Sequence, residues 1–501
     1  MRRFGVLRCG AVALVILLTG PASVLPQALA IEPPSVDPAL VPTDGTPGPE
    51  QPMRQSNICA RPVAAADPDV TLPAPGFAML NTRAAWQYST GNGVAVAVID
   101  TGVTPSRRLP VIPGGDYVMG GDGLTDCDAH GTIVASLINA APQGSPMPAP
   151  MPPRPAFPPP AGVPAAVGGG APPTGPPSPA DPRPGTPDGV AGVAPHATVI
   201  SIRQSSRAYE PVSPSTVGLE AGRKAGTVAT LARAIVHAAN VGAKVINVSV
   251  TACVPAADPL DQSAIGAAVW YAATVKDAVI VAAGGNEGEE GCAQNPELNP
   301  LDTNDPRDWG RVKTVSSPSW FADYVLSVGA VDNKGAPVAK SLAGPWISVA
   351  APGVGIMGLS PHDGAPVNAY PPARPGESPV PFWGTSFSAA YVSGVAALVR
   401  AKYPHLTARQ VINRILQTSH NPPRGVDNRI GYGVVDPVAA LTFDVPVGDP
   451  APPGAHSRVV TPAPPPPPPD RRAHTAALAF AGVVAAGAAL SALIGRARRA
   501  R

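Results

Sequence analysis

Four polar side chains of this 501-residue chain have the types and contexts that nucleophilic catalysis needs. A serine hydroxyl is a weak nucleophile at neutral pH, and it needs a histidine base whose tautomer is fixed by a carboxylate. The negative oxygen that forms on attack needs aimed donors, namely the N–H at a helix start and an asparagine amide. The candidates for these roles are Asp100, His130, Asn286 and Ser386.

The order of the three triad candidates along the chain discriminates between classes of serine hydrolase. Asp before His before Ser is the order of subtilisin, and it differs from the orders of chymotrypsin and of the α/β-hydrolases. The sequence around Ser386 is G-T-S-F-S rather than G-x-S-x-G, which argues against the nucleophile turn of a lipase or esterase. The order therefore favours a protease of the subtilisin type.

The elements that must position these residues alternate between strands and helices. Runs rich in Val and Ile predict buried strands over residues 94–99, 197–203, 244–250 and 278–283. Helices are predicted from His130 and over residues 227–242, 263–274, 387–403 and about 407–418, the last with a capping box. This alternation predicts an α/β fold with a mostly parallel sheet and helices on both faces.

Both ends of the chain carry features of membrane targeting. Residues 1–30 have a basic start, an apolar run and a small-x-small site at Ala28-Leu29-Ala30, which predict a secretory signal peptide. Residues 476–494 contain no charge and would span about 28 Å as a helix, close to the ~30 Å hydrocarbon core. The arginine-rich end that follows places everything upstream outside the cytoplasm. We expect a single-pass protein of the cell membrane whose catalytic domain is extracytoplasmic.

Proline-rich segments divide the remainder of the chain. We expect an extended N-terminal arm over residues 31–75, a protease domain over 76–443, a linker over 444–475, a transmembrane helix over 476–495 and a cytoplasmic basic tail over 496–501. Residues 142–188 form another Pro-rich stretch inside the protease domain. Because Pro lacks a backbone donor and is excluded from central strands, we expect this stretch to be an extended insert.

Four cysteines remain once the expected signal peptide is removed, and an exported protein can join them in disulfides. Cys253 and Cys292 each follow a predicted strand, and consecutive parallel strands end at the same edge of a sheet. We therefore expect Cys253 to pair with Cys292 and, by elimination, Cys59 to pair with Cys127. The cysteines have no CxxC spacing, and we expect neither a metal nor a cofactor.

The composition argues against other classes of protein. A hydrophobic fraction of 44% supports a sizeable core, so the chain as a whole is not disordered. The formal net charge is only +2, which gives no support for nucleic-acid binding.

Two acidic clusters lie near the candidate residues. Asp122, Asp126 and Asp128 precede His130, but they lack the glycine and the terminal glutamate of an EF-hand loop. Residues 287–290 follow Asn286. They predict a solvated loop or, alternatively, a site for a cation or a basic substrate side chain.

From about residue 93 to residue 441 the chain resembles the subtilisin-like serine proteases. The segments that carry the resemblance are VAVIDTGV, HGTIVAS, GVAGVAPHATVISIR, VINVSV, VAAGGNEG, VAAPG and GTSFSAAYVSGVAAL, in this order. The resemblance implies that Asp100, His130 and Ser386 form the catalytic triad and that Asn286 is the oxyanion donor. It also implies a pocket, for the residue before the scissile bond, lined by Ser249, Val250, Thr251, Ala283, Gly284 and Gly285.

The sequence departs from the common subtilase pattern at two places that do not affect the triad. HGTIVAS lacks the second His of the common HGTHVAG, and Phe387 and Ala390 replace the usual Met and Pro after the serine.

The full layout of signal peptide, arm, insert, protease body, spacer and anchor resembles the mycosins. These are membrane-anchored subtilases of the type VII (ESX) secretion systems of mycobacteria and their relatives. The resemblance implies a serine endopeptidase that acts on proteins or peptides of such a system and stabilises its membrane complex. Two alternatives stay open: a structural subunit of that complex that works without catalysis, and a hydrolase of cell-wall esters or amides.

Overall fold

The computed structural model describes residues 31–144, 146–151, 186–213, 225–257, 261–289, 291–453 and 472–499. The expected signal peptide and most of the expected insert and linker lie outside these residues. The chain divides into two units, Met1–Ala455 and His456–Arg501.

The strands and helices are numbered in chain order. The strands are β1 (Met53–Gln55), β2 (Ala95–Asp100), β3 (Val111–Asp116), β4 (Thr198–Arg203), β5 (Tyr209–Pro211), β6 (Val245–Val248), β7 (Ala252–Pro255), β8 (Val279–Ala283), β9 (Thr314–Ser317), β10 (Val325–Val331), β11 (Val349–Pro352), β12 (Gly358–Leu359), β13 (Pro366–Val367), β14 (Ala369–Tyr370) and β15 (Val380–Pro381). The helices are α1 (Pro75–Met79), α2 (Thr82–Ala85), α3 (His130–Asn139), α4 (Val228–Asn240), α5 (Ser263–Trp270), α6 (Thr385–Lys402), α7 (Ala408–Thr418), α8 (Pro437–Thr442) and α9 (Arg472–Arg499).

Seven strands form one parallel sheet in the order β11-β10-β8-β6-β2-β4-β3. Successive side chains of a strand point to opposite faces, so each strand contributes to two apolar layers. Along β2, Val96 and Val98 belong to one layer, and Ala97 and Ile99 belong to the other. Burial on both faces explains why these strands are continuous apolar runs.

Helices cover both faces of this sheet, which confirms the predicted fold class. Helices α3 and α6 contribute to one apolar layer, while α4 and α5 contribute to the other. Almost every residue of α6 is buried, as expected for a central helix rich in Ala. The predicted capping box of α7 is present, with Thr407 and Gln410 each accepting the backbone N–H of the other.

The structure also departs from the predicted elements. Strands β3, β10 and β11 are not among the predicted strands. Strand β3 contains Pro113 and two glycines, which are tolerated because it lies at the edge of the sheet and pairs with β4 alone. Helix α5 ends before the expected boundary and continues as one π-helical turn over Tyr271–Val275.

The N-terminal arm lies against the body and is attached to it by several kinds of contact. Strand β1 pairs antiparallel with β5, and Asp44 Oδ1 lies 2.9 Å from Nδ1 of His237. A disulfide joins Cys59 to Cys127, and another joins Cys253 to Cys292. The Cys253–Cys292 pair was expected from the order of the strands, and the Cys59–Cys127 pair was expected by elimination.

The two ends of the Pro-rich insert meet at the buried Arg108 side chain. Its guanidinium pairs with the Asp188 carboxylate at 2.6 and 3.0 Å. It also donates to the carbonyl oxygens of Ala141 at 2.9 Å and Val190 at 2.6 Å. One side chain therefore fixes the residues on both sides of the insert through charge-assisted hydrogen bonds.

The C-terminal helix α9 is long and apolar enough to cross a bilayer. Its stretch Ala477–Arg498 is 22 residues long and contains an 18-residue window with a mean hydropathy of 2.2. The length matches the roughly 20 residues that a transmembrane helix needs.

Candidate active site

The carboxyl ends of three neighbouring strands, β2, β6 and β8, lie side by side at the same end of the parallel sheet. Asp100 is the last residue of β2, and Asn286 follows β8 after two glycines. His130 is the first residue of α3, and Ser386 is the second residue of α6. Strand ends and helix starts of this kind commonly carry the reactive groups of α/β enzymes.

Asp100 and His130 form a largely buried hydrogen bond. Oδ1 of Asp100 lies 2.7 Å from Nδ1 of His130, and the aspartate is fully buried while the imidazole is 23% exposed. The same oxygen accepts the backbone N–H of Thr101 at 2.7 Å. Because Nδ1 faces the carboxylate, Nε2 is the ring nitrogen that remains for proton exchange.

Helix α3 approaches the end of β2 so closely that the residue after His130 has no room for a side chain. A Cβ atom at Gly131 would lie 2.1 Å from the carbonyl oxygen of Gly102. The backbone N–H of Gly131 donates to Oγ1 of Thr101 at 2.9 Å. Glycine at this position thus lets the imidazole reach Asp100.

A second buried carboxylate, Asp126, connects the strand end to the helix start. Its Oδ1 accepts from Oγ1 of Thr101 at 2.9 Å, and its Oδ2 accepts from the backbone N–H and Oγ1 of Thr132 at 2.8 and 2.6 Å. Burial raises the pKa of Asp126 to about 6, although the hydrogen bonds from Thr132 and Thr101 act in the opposite direction. This positioning role was not predicted from the sequence.

The charges around His130 favour its protonated form. Burial alone lowers the pKa of His130, but the adjoining Asp100 carboxylate raises it through charge and hydrogen bonding. Asp126 and Glu289 raise it further, so the pKa of His130 lies above its usual value. The imidazole therefore takes up a proton more readily than an isolated histidine.

Ser386 lies at the start of α6, next to a residue that contacts the His130 ring. The ring of Phe387, the next residue, lies 5.2 Å from the His130 ring, centroid to centroid. The serine is 8% exposed, and its carbonyl oxygen lies 3.0 Å from Oγ of Ser249. Among the described residues, the hydrogen bond of the His130 side chain is to Asp100 and not to Oγ of Ser386.

Asn286 is fixed by the residue that precedes Ser386. Its Oδ1 accepts the backbone N–H of Thr385 at 2.9 Å and lies 3.2 Å from Oγ1 of the same residue. Its Nδ2 donates to Oε1 of Glu289 at 3.1 Å. Thr385 was not among the predicted site residues, and Glu289 was considered only as part of the acidic loop 287–290, because only the folded chain brings both to the amide.

The two segments predicted to line the substrate pocket, 249–251 and 283–285, both contact the start of α6. Ser249, the first residue of the segment 249–251, is buried and also lies 2.8 Å from Oδ1 of Asn247. In the segment 283–285, the backbone N–H of Gly285 donates to Oγ1 of Thr385 at 3.1 Å. The structure thus brings the predicted segments together with Ser386 and Asn286.

Comparison with known proteins shows the family of the chain. The subtilase family model matches residues 91–433 of the chain. Mycosin-2 of Mycobacterium tuberculosis (strain ATCC 25618 / H37Rv) is 61% identical over an alignment 541 positions long, which covers 99% of this chain and 98% of the relative. The chain belongs to the mycosin family of subtilases. As a mycosin, it is a serine protease of the subtilase class.

Solved mycosin structures share this fold. The crystal structure of MycP1 from Mycobacterium smegmatis has a TM-score of 0.73 at 41% identity, covering 86% of this chain and 99% of that one. A chain in the structure of the periplasmic assembly from the ESX-5 inner membrane complex has a TM-score of 0.71 at 50% identity. That match covers 87% of this chain and 100% of the other.

Proposed function

We propose that this mycosin is a membrane-anchored endopeptidase whose triad consists of Asp100, His130 and Ser386. The observation that carries the proposal is the 2.7 Å contact between Asp100 Oδ1 and His130 Nδ1, beside the start of α6. It leaves Nε2 of His130 to accept the proton of the Ser386 hydroxyl as Oγ attacks a peptide carbonyl carbon.

The remaining steps use the same groups. The negative oxygen of the tetrahedral intermediate is stabilised by Nδ2 of Asn286 and by the backbone N–H of Ser386. The protonated imidazole then gives its proton to the leaving amine as the C–N bond breaks, which leaves an acyl group on Oγ. Water, deprotonated by His130, hydrolyses this ester and restores the free serine.

Two segments are proposed to bind the substrate. Ser249, Val250 and Thr251 follow β6, whereas Ala283, Gly284 and Gly285 end and follow β8. Their contacts with Ser386 and Thr385 support this assignment. Their small or apolar side chains suit a peptide residue just before the scissile bond.

We also propose that the protease domain lies on the extracytoplasmic side of the cell membrane. The apolar helix α9, the four arginines among residues 496–501 and the apolar run in residues 1–30 support this orientation. The proposed domains are a signal peptide (1–30), an arm (31–75), a protease domain (76–443), a linker (444–475), an anchor (476–495) and a basic tail (496–501). The linker's Pro-rich composition suits a spacer.

A type VII secretion complex is the proposed partner. The support is the 50% identity to a chain of the ESX-5 periplasmic assembly. The same match favours a second function, in which the chain stabilises such a complex without catalysis. The proposed partners therefore fall into two classes. Proteins or peptides are cleaved as substrates, and membrane components of the complex are bound without being cleaved.

One comparison tests both functions. Ser386→Ala should lower kcat/KM on peptides by about a thousandfold or more and abolish labelling by a fluorophosphonate, while its Tm stays unchanged. Ser378→Ala, at an exposed serine, is the control and should behave as wild type. Purifying the secretion complex from cells with either variant separates the functions: a complex that assembles with Ser386→Ala supports the structural one. Undiminished hydrolysis by Ser386→Ala would refute the triad.

A further inference from the structure

The side-chain amide of Asn286 has a fixed orientation and a charged partner. Two contacts from Thr385 hold Oδ1, so Nδ2 points in one direction. In that direction lies Oε1 of Glu289, 3.1 Å away. The donor proposed to stabilise the oxyanion is therefore hydrogen-bonded to a carboxylate.

The short turn that carries Glu289 is itself well fixed. The backbone N–H of Glu289 donates to the carbonyl oxygen of Asn286 at 3.2 Å, and its own carbonyl oxygen accepts from Cys292 at 2.9 Å. Cys292 is bonded to Cys253. The backbone is thus held in place, whereas the Glu289 side chain is 40% exposed and free to change rotamer.

The same carboxylate oxygen of Glu289 also lies near a cation. Nη2 of Arg207 lies 4.0 Å from Oε1 of Glu289, and the arginine side chain is 89% exposed. An ion pair this open to water holds the carboxylate weakly. Oε1 of Glu289 therefore has two partners, a weakly held exposed arginine and the amide of Asn286.

We infer that Glu289 occupies the oxyanion donor of the resting enzyme and must leave it before the scissile carbonyl oxygen can bind there. This inference rests on the proposed function of Asn286. A carboxylate at this donor opposes catalysis in two ways: it competes for Nδ2, and its charge repels the negative oxygen of the transition state.

The displaced carboxylate also discriminates between substrates. Once it swings away from Asn286, it remains at the edge of the site, where it repels acidic side chains and attracts basic ones. A substrate with Lys or Arg next to the scissile bond gives the carboxylate a new partner and so promotes its release. The substrate class favoured by Glu289 is accordingly a basic peptide.

The test compares Glu289→Gln and Glu289→Ala with wild type on peptides that differ only in Lys or norleucine beside the scissile bond. We expect kcat/KM for the norleucine peptide to rise about fivefold in both variants, the effect of losing one competing hydrogen bond. Wild type should prefer the Lys peptide about threefold, and both variants should lose this preference. Glu287→Gln, which changes the neighbouring carboxylate, is the matched control and should match wild type.

The pH dependence of kcat/KM provides a second readout, because a purely structural role of Glu289 would leave it unchanged. The charged groups that act on His130 are Asp100, Asp126 and Glu289, and Arg207 is the cation next to Glu289. Removing the charge of Glu289 should shift the acidic limb of kcat/KM to lower pH in both variants but not in Glu287→Gln.

Two failures are distinguishable. If wild type neither cleaves peptides nor reacts with a fluorophosphonate, the proposed function fails. If wild type is active but both Glu289 variants keep its rate, its preference for Lys and its pH profile, the inference about Glu289 is overturned. Unchanged Tm values exclude misfolding as the cause of any difference.

Discussion

Thr385 donates its backbone N–H to Oδ1 of Asn286 at 2.9 Å, although the two residues are 99 positions apart in the chain. The contact joins the turn after β8 to the first residue of α6, the helix that carries Ser386. The proposed nucleophile and the proposed oxyanion donor are thereby held in one geometry.

Removing the hydroxyl of Thr385 should impair catalysis more than binding. Thr385→Val leaves the backbone N–H in place but removes the Oγ1 that contacts Asn286 and accepts from Gly285. We expect kcat to fall about tenfold with little change in KM, because a misaligned donor acts mainly on the transition state. Steady-state kinetics with Thr442→Val as an exposed control check this; equal kcat values for both variants would contradict it.

The rise of kcat/KM on the acidic side of the pH profile should have its midpoint above the usual pKa of histidine. Burial lowers the pKa of His130, but Asp100, Asp126 and Glu289 together raise it above its usual value. Since the neutral imidazole is the base, kcat/KM should increase with pH through a midpoint higher than about 6.5. The folded state holds this proton more tightly, so its stabilising contribution is lost as pH rises through the same midpoint. A midpoint below 6 would refute the expectation.

The hydroxyl of Thr132 should stabilise the fold through Asp126. Its Oγ1 donates to the buried carboxylate at 2.6 Å, so Thr132→Val should lower the free energy of unfolding by about 1–3 kcal/mol at pH 7. The pKa of Asp126 is raised to about 6 by burial, and stability from this group therefore falls as pH rises from about 4 to about 6.

An exposed pair of the same kind serves as the control for Thr132. Thr71 Oγ1 donates to Asp69 Oδ1 at 2.8 Å on the surface, and Thr71→Val should have little effect. Urea unfolding at pH 7 and pH 4.5 compares the two variants. Two outcomes would show that burial of the carboxylate is not the cause. One is an equal loss of unfolding free energy in the two variants, and the other is a larger loss for Thr132→Val at pH 4.5 than at pH 7.

The Pro-rich insert should be dispensable for folding. A Cβ at Gly144 would lie 2.4 Å from that of Pro187, and Arg108 holds both flanks, so the ends already meet. Replacing residues 146–185 with about four Gly and Ser residues should leave Tm within ~2 °C and kcat/KM unchanged, because shorter loops close at little entropic cost. Arg108→Met should instead destabilise by about 3–5 kcal/mol by leaving buried Asp188 unpaired. Loss of folding in the shortened chain would contradict this account.

The N-terminal arm should stay attached after cleavage. Asp67 is exposed and lies just beyond Cys59, which is bonded to Cys127. Endoproteinase Asp-N, which cuts before aspartate, should cut there without releasing the Cys59 fragment of the arm until a reductant is added. Electrophoresis with and without reductant detects whether the fragment is released. The double variant Cys59→Ser, Cys127→Ser should release it under both conditions. Release from the wild-type chain without reductant would make the arm a removable segment.

The sequence predicted those features that depend on local pattern. Apolar runs identified β2, β4, β6 and β8, since burial on both faces demands continuous Val and Ile. Strand β3 was missed because its Pro and Gly residues disfavour a strand except at a sheet edge, and edge position is a property of the whole sheet.

Within the site, residue types and their order identified Asp100 and His130, which the structure brings into contact. Glu289 and Thr385 could not be recognised in the same way. Their contacts with Asn286 depend on how a turn and a helix start meet in space. Asp126 was considered only as a possible calcium ligand, since its burial and its threonine partners are set by packing.

The burial of α6 also determines when the enzyme can first become active. This helix covers one face of the sheet, and it is made of residues 385–402, far along the chain. A chain that has been synthesised only as far as β11 has neither Ser386 nor the helix that shields the sheet. Completion of the core and arrival of the proposed nucleophile are therefore one event, so a partly synthesised chain lacks the residue proposed to cut peptide bonds.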